Sequence, residues 1–415
     1  MSIYVCRSCR HALLTPSPSL SQQSTRSFSS TRHNAKVLAT FEPTSSPEID
    51  TLLSSWRSKV FLPSVLPAYN RRMLRKPKGH DILNTPPGVT VTLQTKRNDV
   101  DGSSEEQIKL EPLHPFDKPH KQTLLDLIHL LEENSKDAAA WNNVIPLLEG
   151  LHESKSHLPI NFYARLARAA VTATPRRDGL IVRAAETSDR TGLTLADRGV
   201  TRELLIGIHR RAIAKHYQGE SENKDLNKLA TLVAKEEHGG KLTTPTKDGR
   251  VNMSNDPLLL AAHLEQAAAH LLTAKNNTDS NTAKSTHNVA IHASHLLART
   301  RELEALSQQQ TNAFPYHSAF NLTESSPKEP HAILDLILIS HATELAIAVA
   351  TKSKLESRHK NLARDLQTLA KKTDAALGLL RKKHAGLTNK DGRKKLWVEV
   401  KEEAQEARRE LGLEK

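Results

Sequence analysis

Residues 121–133, KQTLLDLIHLLEE, decide the class of fold that this chain adopts. Apolar residues recur in this stretch at intervals of three and four, which places them in one stripe along a helix. These residues are Leu124, Leu127, Ile128 and Leu131. A second stretch at 138–148, which includes Trp141, repeats the spacing. The two stretches predict neighbouring amphipathic helices.

Toward the C terminus, the same periodicity predicts a series of further helices. Their expected bounds are 159–173, 178–189, 197–217, 225–237, 256–275, 286–306 and 330–353. Sequential helices with short connections pack as antiparallel hairpins. The composition, with 37% hydrophobic but only 4% aromatic residues, favours helices that pack through small and unbranched side chains. We therefore expect a mainly α fold of serial helical hairpins.

Upstream of residue 120, the pattern changes from helical to extended. The stretches 88–94 and 107–113 alternate apolar and polar residues, which predicts one small β-hairpin around a polar loop at 99–106. A short helix is expected at 47–56. After it, residues 57–80 contain four helix-breaking residues, namely Pro63, Pro67, Pro77 and Gly79. They predict an extended N-terminal arm.

Positive charge is concentrated in two blocks of the chain, whose formal net charge is +13. Residues 51–80 contain seven basic residues and no acidic residue. Residues 352–395 contain fourteen basic residues against four acidic ones, whereas the stretch between the blocks is mildly acidic. Such blocks suit a polyanion, because each neutralised phosphate releases condensed counterions.

The basic blocks supply the candidate RNA-binding residues. Those of the first block are Arg57, Lys59, Arg71, Arg72, Arg75, Lys76 and Lys78, and those of the second are Arg381, Lys382, Lys383, Arg393, Lys394 and Lys395. In the first block, Trp56, Phe61, Tyr69 and Met73 are interleaved with the cations, so an arm there would place arginines on phosphates and rings on exposed bases. The alternatives are a basic linker for the first block and an ordinary solvated helix face for the second.

The first 41 residues have the composition of a mitochondrial transit peptide. They contain no Asp or Glu, yet carry five basic residues among many Ser and Thr. Arg26, Phe28 and Thr31 lie ten, eight and five residues upstream of a cut after Ala35, a spacing typical of two-step matrix processing. We expect residues 1–35 to be removed and the protein to be located in the mitochondrial matrix. The alternative is a disordered Ser-rich tail with chance arginines.

The sequence contains no motif for catalysis, metal binding or a cofactor. The two cysteines, Cys6 and Cys9, both lie in the predicted presequence, and a zinc site needs four ligands. The stretch 237–241, EHGGK, lacks the earlier Gly and the following Ser or Thr of a phosphate-binding loop. Histidines share helix faces at 263 and 270 and at 292 and 295, without the acid of an H-E-x-x-H motif. We expect a protein that is not an enzyme, with no small-molecule substrate.

The most apolar stretch, residues 332–350, approaches the length of a membrane span. Asp335, His341 and Glu344 interrupt it, and charged groups near a bilayer centre cost about 2.5 to 3.5 kcal/mol each on insertion scales. We therefore predict a buried helix here and no transmembrane segment.

The layout of the chain resembles that of fungal mitochondrion-specific ribosomal proteins. The likeness consists of a presequence of the CRSCR and RSFSSTR style, a basic Pro-containing arm and an α-helical body without an enzyme motif. It implies a structural component of the mitochondrial ribosome, with the large subunit slightly favoured. That component would bind mitochondrial rRNA through its basic arms and other mitoribosomal proteins through its helical body.

A second likeness leaves an alternative function open. The segments FYARLAR at 162–168 and VTRELLI at 200–206 lie 38 residues apart and resemble the first helices of pentatricopeptide-like units. A repeat protein of this type would be an RNA-processing or translation factor. A further alternative is an assembly factor for a respiratory complex, whose cationic blocks would meet cardiolipin.

The patterns together divide the chain into four segments. They are a transit peptide at 1–35, an extended basic arm with the hairpin at 36–119, a helical body at 120–345 and basic C-terminal helices at 346–415. Two polar, low-complexity gaps in the second half, 239–255 and 276–285, predict exposed loops.

Overall fold

The computed structural model describes most of the chain downstream of the predicted transit peptide. The described residues are 37–96, 103–114, 116–217, 220–238, 254, 256–273, 279–309, 331–352, 356–383 and 396–413. The expected transit peptide at 1–35 lies outside them, as does nearly all of the expected loop at 239–255. Among the described residues helices dominate, which confirms the predicted fold class.

The N-terminal region is helical where the sequence predicted an extended arm. Its helices are α1 (Pro47–Trp56), which continues into a π-helical turn at Arg57–Phe61, α2 (Leu62–Val65), α3 (Ala68–Arg75) and α4 (Pro77–Asn84). The prediction of an extended arm at 57–80 is therefore wrong. Two of its prolines stand at helix starts, with Pro67 preceding α3 and Pro77 opening α4, where the missing N–H costs no hydrogen bond. Pro63 lies in α2, which directly continues the π-helical turn.

A small sheet follows these helices. Strands β2 (Thr90–Lys96) and β3 (Ser103–Lys109) pair antiparallel, with Thr90 opposite Lys109 and Lys96 opposite Ser103. This confirms the predicted hairpin, although β3 begins four residues earlier than the alternation suggested. Strand β1 (Leu38–Ala39) adds to β2 in parallel and was not predicted, because two residues are too few to show an alternation.

The helical body agrees with the predicted series to within a few residues. The helices are α5 (Thr123–Glu133), α6 (Ala138–Asn142), α7 (Val144–Glu153), α8 (Phe162–Thr172), α9 (Asp178–Glu186), α10 (Ser188–Thr191), α11 (Arg198–Ala214), α12 (Glu220–His238), α13 (Pro257–Thr273), α14 (Asp279–Gln309), α15 (His331–Lys352), α16 (Glu356–Lys383) and α17 (Leu396–Glu410). Helix α14 begins inside the stretch 276–285, where a loop was expected.

The buried apolar side chains of the described residues form two cores that share several helices. The first core gathers the N-terminal helices and α5 to α9, with Trp141 fully buried in it, and takes further side chains from α11, α12, α13, α15, α16 and α17. The second core lies among α11, α13, α14, α15, α16 and α17. The helices that contribute side chains to both cores, and so join them, are α11, α13, α15, α16 and α17.

Helix α15 is the most enclosed of the long helices. Its segment Ile333–Thr351 is long and apolar enough to cross a membrane, with a mean hydropathy of 1.8, but 83% of it is buried inside the structure. Helices α13 and α16 pack against it. A helix that is hydrophobic on all sides is expected in the core of a larger protein, and the structure buries this stretch as the sequence predicted.

A buried ion-pair cluster joins α11 to α15. Asp335 of α15 accepts hydrogen bonds from Arg198 Nη2 and from Arg202 Nε, each at 2.7 Å. Arg198 also donates to Asp256, which precedes α13, at 2.9 Å. Burial disfavours the ionised form of Asp335, but the two guanidinium groups outweigh it and lower its pKa. Burial prevails at Asp256, whose pKa is raised although Arg198 opposes the shift.

Removing the charge of Asp335 tests this cluster. We predict that Asp335→Asn lowers the free energy of unfolding by about 3 to 5 kcal/mol, because the guanidinium of Arg202 stays buried without its carboxylate. Chemical denaturation followed by circular dichroism measures the loss. The matched control is Asp365→Asn, which breaks an ion pair with Arg301 whose side chain is 63% exposed and should cost less than about 1 kcal/mol. Equal losses of unfolding free energy in the two variants would contradict a stabilising role for the buried ion-pair cluster.

A second buried polar group lies in the second core. Glu265 Oε1 accepts hydrogen bonds from His209 Nδ1 at 2.7 Å and from the Tyr217 hydroxyl at 2.9 Å. Since Tyr217 gives its proton to Glu265, His341 Nε2 donates to the Tyr217 oxygen, 2.7 Å away. Burial lowers the pKa of His341 to about 3, although Glu265 opposes the shift, so this imidazole is neutral near neutral pH.

The depressed pKa of His341 predicts a loss of stability in acid. In the unfolded chain this histidine binds a proton below about pH 6.5, whereas in the folded protein it does not until about pH 3. The unfolded state therefore binds more protons between these values, and the free energy of unfolding should fall by on the order of 2 kcal/mol from pH 7 to pH 5 on account of this group. Chemical denaturation at a series of pH values measures the effect.

The free energy of unfolding should depend less steeply on pH in His341→Gln, whose amide keeps a hydrogen-bond donor toward Tyr217. The control is His129→Gln, since the side chain of His129 is 72% exposed and its removal should leave the pH dependence as it is in the wild type. An unchanged slope in His341→Gln would refute the assignment.

Candidate nucleic-acid interface

Helices α3 and α4 form a basic helical hairpin, defined here as residues 68–84 and called the basic hairpin. Helix α3 ends at Arg75 because Lys76 precedes a proline, which forces extended backbone angles of φ −101° and ψ 134° on it. Pro77 then begins α4 with the φ angle that a first helical residue needs. The Lys76-Pro77 pair thus makes the sharp turn between the two helices.

The basic hairpin is held tightly. A side-chain carbon at Gly79 would lie 2.4 Å from the Met73 carbonyl oxygen, so the two helices can approach this closely only with glycine there. The carbonyl of Leu74 accepts hydrogen bonds from His80 Nε2 at 2.8 Å and from the backbone N–H of Leu113 at 2.9 Å. These contacts fix α3 against α4 and against the segment that follows β3.

The two faces of the basic hairpin differ in chemistry. Met73, Leu74 and Leu83 are buried, and Leu74 and Leu83 belong to the first core. Five of the predicted RNA-binding residues are exposed on the outer side, namely Arg71, Arg72, Arg75, Lys76 and Lys78. Within the described part of the chain, no salt bridge involves any of the five. The outer face therefore carries a group of cations in solvent.

Two large apolar side chains stand on the same hairpin. Tyr69 is 69% exposed and Ile82 is 52% exposed. Tyr69 is the one ring of those predicted to meet bases that the structure leaves accessible. Ile82 was not predicted as part of a site, because its spacing of three residues from buried Gly79 gives no sign of an outward position.

The remaining first-block residues have structural roles or lie apart from the hairpin. Trp56 and Phe61 are 4% and 1% exposed, with ring centroids 6.2 Å apart, so the prediction that these rings contact bases is wrong. The interleaving pattern could not distinguish core rings from exposed ones. Arg57 donates to the Ala39 carbonyl at 3.0 Å and pairs with Glu106, which ties the π-helical turn to the sheet. Lys59 is half-buried on the same turn.

The second basic block is described only in part. Helix α16 buries Leu366 and Leu369 in the second core and exposes Arg364 and Lys371 on its other side. The predicted residues Arg381, Lys382 and Lys383 form its last turn. The other three, Arg393, Lys394 and Lys395, lie outside the described residues. RNA binding by this block stays a prediction.

The histidines singled out from sequence are partly packed. His263 of α13 and His292 of α14 stack with ring centroids 5.4 Å apart and planes at 10°. Burial lowers the pKa of His263 to about 4, with His292 adding to the shift. Nowhere among the described residues do three His, Cys, Asp or Glu side chains lie where they could hold a metal ion.

Comparison with known proteins relates most of the chain to one family. The family model of mitochondrial ribosomal protein mS27 matches residues 26–400. Among curated proteins, the small ribosomal subunit protein mS27 of Neurospora crassa is 30% identical over 304 residues, which cover 70% of this chain and 72% of that protein. The family match includes the basic hairpin and the helical body. Neither match bears on the pentatricopeptide-like likeness, which stays a prediction.

Proposed function

Since the chain belongs to the mitochondrial ribosomal protein mS27 family, we propose that it is a structural protein of the small subunit of the mitochondrial ribosome, located in the matrix. The slight preference for the large subunit is corrected, because the Neurospora relative is by name a small-subunit protein. The family supports a role in mitochondrial translation that is structural and not enzymatic.

We further propose that the outer face of the basic hairpin contacts mitochondrial rRNA. Arg75 lies four residues after Arg71 and three after Arg72 on α3, so it is a neighbour of both on the helix surface, with about 5 to 6 Å between Cβ atoms. Lys76 and Lys78 extend the group across the turn into α4. Guanidinium groups hydrogen-bond phosphates in a bidentate manner, and the lysines add point charges.

Rigidity favours a binding surface over a loose linker. The basic hairpin is anchored by Leu74 and Leu83 in the first core, so its cations are presented in a fixed arrangement. A rigid surface loses less conformational entropy on binding than a flexible arm would. Tyr69, exposed one helical turn before Arg72, offers a ring on which an unpaired base can stack. This combination suits folded RNA better than a lipid headgroup layer.

Neutralising the basic hairpin tests the proposal. We predict that a protein with Arg71, Arg72, Arg75 and Lys76 all changed to Gln binds mitochondrial small-subunit rRNA, transcribed in vitro, more weakly than the wild type. The slope of log affinity against log salt concentration should become shallower by about 3, because the loss of four phosphate contacts reduces the number of counterions released on binding. Filter binding over a potassium chloride titration measures both quantities.

A charge-matched control separates local contact from net charge. The variant with Lys118, Lys121, Lys136 and Lys155 changed to Gln loses the same charge at exposed positions outside the basic hairpin. It should keep a salt slope close to that of the wild type. Equal slopes in the two variants, or wild-type binding by the hairpin variant, would remove the basic hairpin as the RNA contact.

The rest of the chain has roles that follow from the same proposal. The last turn of α16 and the segment that follows it would supply a second phosphate contact. The helical body at 120–345, mildly acidic in sequence, would contact neighbouring ribosomal proteins. The division into an N-terminal basic segment, a helical body and basic C-terminal helices is part of this proposal.

A further inference from the structure

A polar cavity of about 310 Å³ lies between α12, α13 and α14, away from the basic hairpin. From α13 it is lined by His263, Gln266 and His270, which lie three, four and seven residues apart and therefore on one helical face. From α14 it is lined by Asn288 and His292, also on one face. The cavity thus follows the groove between two packed helices.

The chemistry of the cavity is polar, without carboxylate, ammonium or guanidinium groups among its described lining residues. Asn227 of α12 and Ser285 of α14 complete its polar wall, and none of its described lining residues is Asp, Glu, Lys or Arg. The wall therefore combines imidazole rings, carboxamides and a hydroxyl. Carboxamides carry both donors and acceptors, so the wall can satisfy mixed hydrogen-bonding edges.

Two of the imidazoles, those of the stacked pair, favour the neutral form. Burial lowers the pKa of His263 to about 4, and burial together with His295 lowers the pKa of His292 below its ordinary value. A phosphate would find no Lys or Arg among the described lining residues. A metal ion would find no three ligands, since the described residues offer no such group. The ligand that fits is neutral, flat enough to lie on an imidazole ring and rich in donors and acceptors.

We propose that this cavity binds an unpaired nucleobase of RNA, with the base stacked on the paired rings of His263 and His292 and its edge hydrogen-bonded to the carboxamides. The size agrees, because 310 Å³ is at the small end of the range for ligand sites, about 300 to 1,000 Å³, and accommodates a base with its sugar. Every base has a π-face and a polar edge, which is why unpaired bases are recognised in this way. The inference rests on the proposed RNA contact and adds a base contact to the phosphate contact of the basic hairpin.

The test compares two oligomers that differ only in their bases. One is a fluorescein-labelled single-stranded RNA of about 12 nucleotides with mixed sequence, and the other is an abasic oligomer of the same length and phosphate number. Fluorescence anisotropy with the purified full-length protein gives the affinity for each. We expect wild-type protein to prefer the base-bearing oligomer, because the abasic one offers phosphates alone.

Variants of the cavity should reduce this preference selectively, whereas any part of it that comes from stacking on Tyr69 should remain. His292→Leu should weaken binding of the base-bearing oligomer by about tenfold through loss of stacking and leave binding of the abasic oligomer unchanged. Asn288→Ala changes an exposed residue that is safe for folding, and it should weaken the same binding by about fivefold. The control is Asn142→Ala, an exposed asparagine on α6 that should change neither affinity.

The outcomes separate this inference from the proposed function. If the base-bearing oligomer binds wild type and both cavity variants equally, while the neutralised basic hairpin binds it more weakly, the cavity proposal is overturned and the phosphate contact stands. If neither oligomer binds the wild type, the RNA contact itself fails, and the cavity proposal fails with it. Selective loss in His292→Leu and Asn288→Ala supports the cavity as a base site.

Discussion

The carboxylate of Asp335, held between Arg198 and Arg202, is the buried ion-pair interaction that ties α15 to α11. These are two of the helices that contribute side chains to both cores, together with α13, α16 and α17. The first core in turn buries Leu74 and Leu83, the residues that hold the basic hairpin in place. Asp335, which interrupts the apolar stretch 332–350 in the sequence, is therefore paired with two arginines inside the protein.

The position of the cations follows from this packing. A flexible arm would have to lose its conformational freedom on meeting RNA, whereas the basic hairpin presents its five exposed cations on helices that are already ordered. This order comes from residues within the hairpin itself, because Gly79 and the Lys76-Pro77 turn set the distance between α3 and α4. The proposed phosphate contact is thus a property of a folded surface, and the polar cavity between α12, α13 and α14 adds a neutral surface with different chemistry.

Periodicity predicted most of the helical body well, because all of its helices except α6 and α10 are long enough to show an apolar stripe. It failed at 57–84, where the helices have four to eight residues and the prolines lie within them or at their starts. The basic residues of the first block were identified from composition, but their roles were not: Arg57 is tied to Glu106, while Arg71 and Arg72 face solvent. Partners such as Arg202 and Asp335, far apart in the chain, leave no local signal.

The most direct test of the account is sedimentation of the tagged protein from mitochondrial lysate through sucrose gradients, first with magnesium and then with EDTA. The account predicts that the protein migrates with the assembled ribosome in magnesium and stays with the small subunit after EDTA separates the subunits. Migration as a small free species, or with the large subunit, would contradict it.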